Sequence, residues 1–149
     1  MKEHDEILDD FPDRPVSTHP NDVTEEGLAK IVAAAEESQK HYAQAQAVGD
    51  RAALMRHARD LRYWLARRAT ARVIPPAADV SCVRFGHTVT IARNDGREQQ
   101  FRIVGEDEAQ PNAGTISHVS PMARALFGKR VGDVVVVGDG EIKINSIES

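Results

Sequence analysis

Two consecutive prolines, Pro75-Pro76, constrain this chain more than any other feature, because a helix does not run through them and a central strand does not accept them. Ahead of them the apolar residues recur at helical spacing; behind them they recur at strand spacing. From Thr24 to Val48, residues Leu28, Ile31, Ala35, Tyr42 and Ala45 fall at three-, four- and seven-residue steps, which predicts an amphipathic helix. Thr24, Glu25 and Glu26 suit its start, although Gly27 makes an imperfect capping box. Gly49-Asp50 interrupts the stripe, and Arg51 to Arg72 resumes it with Leu54, Ala58, Leu61, Leu65 and Ala69. Tyr63 and Trp64 could stack on nucleic-acid bases, but beside Leu61 and Leu65 at that spacing they read as seam packing. So short a break predicts an antiparallel two-helix coiled-coil hairpin over residues 23–74, with residues 75–80 as a stiff linker.

Residues 81–149 carry the other period. Val83, Phe85, Val89 and Ile91 alternate as a strand, Asn94-Asp95-Gly96 is a hairpin turn, and Phe101 and Ile103 continue on the return strand. Gly105 to Asn112 reads as an acidic loop. Thr115 to Val119 is a short strand, and Ser120-Pro121 opens a helix, the serine as cap and the proline in the first turn. Met122, Ala125, Leu126 and Phe127 give that helix an apolar face, and Gly128 stops it. Val134 to Val137 reads as a buried strand, joined through Gly138-Asp139-Gly140 to a last strand at Ile142–Ile147. The fold class is therefore α+β: a helical hairpin followed by an antiparallel β domain with one short helix.

Charge is distributed unevenly. The chain carries a net −4, but residues 1–22 hold seven acids and two bases, whereas residues 51–72 hold seven arginines and one acid. Such polarity steers charged partners. With three prolines among its acids, segment 1–22 reads as a disordered, solvated tail in which Ile7, Leu8 and Phe11 are the only docking candidates. A single cysteine, Cys82, excludes an internal disulfide and sits in a strand-like run as a structural thiol. The six histidines stand singly, without metal-ligand spacing. Ser117, His118, Ser120 and Asp133 do not make a hydrolase, since a serine before a proline is a cap, and Glu106-Asp107-Glu108 reads as a solvated loop. No apolar run approaches a membrane span and the acidic start lacks a signal peptide's features, so a cytoplasmic location is expected.

Several stretches resemble the GreA/GreB family of bacterial transcription elongation factors: "VRFGHTVTI" at 83–91, "IVGEDEA" at 103–109 and "ISHVSPMARALFGKRVGDVVVV" at 116–137, with "VTEEGLAKI" and "AQAVGD" extending the match into the first half. The resemblance implies a coiled-coil finger followed by a domain similar to FK506-binding proteins. It implies bacterial RNA polymerase as partner, gripped at the rim of the secondary channel by Ser120, Pro121, Met122, Ala123 and Arg124. In the family two acids at the finger tip help hold a magnesium ion that belongs to the polymerase active site, so no cofactor is expected of this chain. The tip reads roughly G-D-x-x-E-N in the family; here Asp50 matches, but Ala53 and Leu54 stand in place of the glutamate and asparagine. Asp50 is thus the one acid left to touch that magnesium, Arg51 opposes it, and both arms are shorter than the family's by about eight to ten residues, or roughly 12–15 Å of reach. A channel-binding regulator without cleavage stimulation is the expectation, with Arg51, Arg56 and Arg59 as candidate contacts to nascent RNA. Two other readings remain: an adaptor resembling the regulators of nucleoside diphosphate kinase, and a peptidyl-prolyl isomerase, for which Phe85, Phe101 and Phe127 would have to line a pocket.

Overall fold

The computed structural model describes residues 12–149, so Ile7, Leu8 and Phe11 lie outside the described residues. The chain forms two units. One comprises the residues up to Asn21 together with Leu28–Ala71; the other comprises Asp22–Gly27 and Arg72–Ser149.

The first unit is the helical hairpin, built from α1 (Glu25–Val48) and α2 (Arg51–Thr70). Their antiparallel register places His41 against His57, with ring centroids 5.0 Å apart. Ile31, Ala35 and Ala45 of α1 are buried as the spacing predicts, and Ser38 is buried with them, so the serine continues the stripe. Helix α2 departs from expectation. Leu65 is half exposed, while the buried position is Arg67, at 1% exposure.

The cause lies in the segment ahead of α1. Residues 12–21, expected as part of a solvated tail, run along α2. The Arg62 guanidinium donates to Asp13 Oδ1 at 2.7 Å, and Arg14 Nη1 stands 3.4 Å from Asp60 Oδ1. The Arg14 guanidinium also lies 3.9 Å above the Tyr63 ring, which meets Trp64 edge to face. Asn21 closes the contact: its Nδ2 donates to Arg67 O and its Oδ1 accepts from Arg67 Nη2, both at 2.8 Å. Tail-like composition thus conceals a set of partners for a basic helix.

The second unit begins with two very short parallel strands, β1 (Asp22–Val23) and β2 (Arg72–Val73), so the structural boundary falls at Ala71/Arg72, just before the prolines. A five-stranded sheet follows in the order β5-β4-β3-β7-β6, from β3 (Thr88–Arg93), β4 (Glu98–Val104), β5 (Thr115–Ser117), β6 (Val134–Val137) and β7 (Gly140–Glu148). The helix α3 (Pro121–Leu126) crosses between β5 and β6. All pairings are antiparallel except β4–β5, which is parallel because a ten-residue excursion through a 3₁₀ turn at Pro111–Ala113 returns the chain in the same direction. Val89, Ile91, Ile103, Ile116, Ile142, Ile144 and Leu126 make the core.

Three local expectations change. The first strand of the sheet starts at Thr88, not Val83, because Gly86 adopts φ 85°, a conformation that breaks an extended run and that other residues resist. Val83 instead exchanges backbone hydrogen bonds with Gly128 and Lys129 just past α3, and Cys82 is half-buried in a bend rather than in a strand. The four valines of β6 are not a buried run either. Only Val135 is buried; Val134 and Val136 are exposed, the latter at 67%, because β6 is an edge strand covered on one face.

The acidic loop is also not solvated throughout. Glu108 is buried at 8% exposure, and its carboxylate accepts from the backbone N–H and hydroxyl of Thr24, 84 residues earlier, and from Gly105 N. Thr24 Oγ1 in turn accepts from Gly27 N at 2.9 Å. This is a capping box whose acid comes from elsewhere in the chain. Gly27 is what admits it, since a methyl group at that position would overlap the Glu108 carboxylate. Nearby, the Glu26 carboxyl is held below its usual range by a backbone hydrogen bond at the helix start, with Thr24 and Arg102 adding to the effect.

Replacing Glu108 by alanine should therefore lower stability by about 1–3 kcal/mol, because it strands buried donors. Gly27→Ala should be at least as damaging, and Glu141→Gln, at an exposed position, should change little. Urea denaturation of the three variants checks the ranking.

Candidate functional site

The stretch around α3 is built so that one side packs and the other is shown. Ser120 is the N-cap, with φ −67° and ψ 155°, and its Oγ accepts from Ala123 N at 3.2 Å. Pro121 follows in the first turn, where its missing N–H is not needed. Ala123 and Leu126, three residues apart, are fully buried in the core, and Met122 is partly packed against it. That leaves Pro121 and Arg124 on the solvent side. Lys129 and Arg130 are exposed just beyond the helix, so the displayed face is cationic. Of the five expected contact residues, the structure thus displays two and gives the other three mainly to capping and packing.

The neighbouring polar groups are held in local turns. Ser117 Oγ accepts from Val119 N, and Asp133 Oδ2 accepts from Arg130 N at 2.8 Å. His118 lies edge to face with Phe85. These assignments leave no nucleophile aligned with a base. Among the described residues, no three His, Cys, Asp or Glu side chains converge as a metal site.

At the hairpin tip, Asp50 is the N-cap of α2, and its Oδ1 accepts from Ala53 N at 3.1 Å. Sequence reasoning set Asp50 forward as a metal-contacting acid; the geometry gives it a structural role. The donor set at the tip does not fit a magnesium ion, because one carboxylate engaged in capping stands beside Arg51 and is followed by alanines and a leucine. Of the candidate nucleic-acid contacts, Arg51 and Arg56 are exposed, while Arg59 is half-buried with its Nε 3.7 Å from Asp60.

One functional-looking residue was not legible at all. His87 is fully buried, with Nδ1 accepting from Arg84 N and Nε2 2.8 Å from Ala77 O. That pattern assigns its proton to Nε2. It ties the segment after the prolines to the start of β3.

Residues 78–149 match the family described as transcription elongation factor, GreA/GreB, C-terminal. It is this C-terminal stretch, just under half of the chain, that matches the GreA/GreB family. Transcription elongation factor GreB of Neisseria meningitidis serogroup B is 42% identical over 96 residues, which cover 60% of this chain and 59% of that protein. Transcription elongation factor GreA of Hyphomonas neptunium is 59% identical over 54 residues, 36% of this chain and 34% of that one. The chain thus spans between a third and three-fifths of these Gre relatives. Among solved structures, GreA factor homolog 1 (Gfh1) of Thermus thermophilus aligns over 88% of this chain and 100% of its own, at 21% identity and a TM-score of 0.44. The Gre-family domain therefore includes β3 to β7 and the displayed helix α3.

If Asp50 acts as a cap, Asp50→Ala should cost about 1 kcal/mol of hairpin stability while Asp50→Asn keeps most of it. Thermal unfolding followed by far-UV circular dichroism distinguishes the two, and equal losses would argue against the capping role.

Proposed function

We propose that this protein is a Gre-family elongation factor that binds bacterial RNA polymerase at the secondary channel and modulates elongation without supplying the acids of transcript cleavage. The observation that carries this reading is the Gre-family match of residues 78–149, in which α3 displays Pro121 and Arg124 on a rigid, capped turn. A proline and an arginine fixed on a buried scaffold suit recognition of a partner helix, since little conformational freedom is lost on binding. The protein is a regulator in this reading, and any magnesium chemistry is the polymerase's.

The tip supports the second half of the proposal. Two-metal hydrolysis needs carboxylate oxygens on a second ion, and the described tip offers only the capping Asp50 next to a cation. The hairpin arms of 24 and 20 residues span about 36 and 30 Å, which sets the reach of the finger. Exposed Arg51 and Arg56, with half-buried Arg59, would contact nascent RNA through phosphate charge. Neither alternative gains an observation. Phe85, Phe101 and Phe127 are packed against the core, where an isomerase would use them to line a pocket, and the matches named above are to Gre factors.

Titration against core RNA polymerase should show binding that weakens about tenfold or more in Pro121→Ala and Arg124→Ala, as expected for central contacts. Undiminished binding by both variants would refute α3 as the docking element. On a backtracked polymerase, the protein should leave RNA length unchanged while slowing cleavage by a genuine Gre factor. Shortening of the RNA by this protein would instead return Asp50 to a catalytic role.

A further inference from the structure

The segment before α1 covers the Asp60–Trp64 stretch of α2, farther along the helix than the exposed Arg51 and Arg56 of the proposed RNA contact. Arg56, Asp60, Tyr63, Trp64 and Arg67 recur at three- and four-residue steps and share one side of α2. Arg62, one position before Tyr63 and outside that set, has its guanidinium taken by Asp13 at 2.7 Å. Arg14 Cζ lies over Tyr63, 3.9 Å from its ring centroid and 5.5 Å from that of Trp64, and Arg14 pairs with Asp60. Asn21 anchors the far end on Arg67 through two 2.8 Å hydrogen bonds. The grip is unequal along its length. The Asn21 end is buried, whereas Asp13 and Arg62 are exposed and their pair is screened by solvent. In sequence, residues 1–11 add five acids, Glu3, Asp5, Glu6, Asp9 and Asp10, and one lysine ahead of Asp13.

Arginines alternating with an aromatic face are what a single strand needs: guanidinium groups for phosphates, a ring for a base. Here both kinds of group are already engaged from within the chain, an aspartate in the place of a phosphate and a flat guanidinium in the place of a base. We infer that residues 12–21 form an autoinhibitory strap, hinged at Asn21, that competes with single-stranded nucleic acid for the Arg62–Tyr63 face of α2. The inference rests on the proposed RNA contact of the basic helix and adds a control to it. The face opens when Asp13 and Arg14 are displaced while the buried Asn21–Arg67 contact stays in place.

Trp64 is the chain's single tryptophan, so its emission reports the departure of Arg14. The test is a fluorescence-anisotropy titration of a short labelled single-stranded RNA against the full chain, the double variant Asp13→Asn/Arg14→Gln, and Arg14→Lys, which keeps the charge but not the flat guanidinium. The double variant should bind about tenfold more tightly, with Arg14→Lys between the two. RNA at saturation should also shift Trp64 emission of the full chain to the double variant's value. Equal affinities would leave the RNA contact standing and overturn the strap. No binding by any of the three would overturn the RNA contact and the strap together, leaving polymerase docking through α3 to its own titration. Far-UV circular dichroism should show equal helicity in all three, because the substituted side chains lie outside the core.

Discussion

The Glu108 carboxylate carries more of this structure than any other polar group. It is buried, and three donors converge on it from two parts of the chain that lie far apart in sequence: Thr24 through its backbone and its hydroxyl, and Gly105 through its backbone. A carboxyl group removed from water is costly unless its lone pairs are satisfied, and here they are satisfied by two donors of Thr24 at a helix start and by Gly105 N. The same contact thus resolves two problems, the unpaired N–H groups of α1 and the desolvation of an acid in the β4–β5 connection. It also fixes which residues may surround it. Gly27 and Gly105 have no side chain to place there, because Glu108, the Asp22 carbonyl and the Val23 side chain occupy the space.

The first turn of α1 consequently belongs with the β unit, alongside β1 and β2, while the remainder of the hairpin forms its own unit with residues 12–21. Within the β unit the sheet places α3 by a simple division of labour. Ala123 and Leu126 bind the helix to the core, Ser120 and Pro121 define its beginning, and what remains on the outside is a proline, an arginine and the cations that follow. The Ser120 cap and the burial of Ala123 and Leu126 hold this surface from the core side. The tip of the hairpin is organised by the same rule with the opposite consequence. There the acid is engaged by the helix start, and the chemistry a bare carboxylate could offer is reduced.

Most of the fold was legible in the sequence because local rules and tertiary structure agree. The 3.6-residue stripe of α1, the Asn94-Asp95-Gly96 and Gly138-Asp139 turns, and the Ser120 cap are each settled within a few residues, and the structure contains them all. The misreadings have a common origin. Val134 and Val136 look buried by composition, but a strand residue is buried only if a layer covers its face, and their face of the sheet is open, as it is at Lys143 and Asn145 of β7. Val83 and Phe85 alternate like a strand, but one positive-φ glycine ends the extension before pairing begins. Residues 12–21 have a tail's composition, yet their charges and amide find complements on α2 that no window of sequence contains.

The sequence by itself therefore determined that a helical half precedes a β half, the turns, and the Gre-like motif of residues 78–149, while the structure moved the division from the prolines to Ala71/Arg72. These follow from covalent geometry and from hydrophobic period, both of which act over short stretches. Tertiary structure decided which polar groups are buried and which charges are available. Glu108, Arg67 and His87 are ordinary polar residues in sequence, and each becomes buried because its partner arrives from at least ten residues away. The same is true of function. Whether Asp50 can meet a metal, and whether the arginines of α2 can meet a nucleic acid, depends on hydrogen bonds and ion pairs that exist only once the chain has folded.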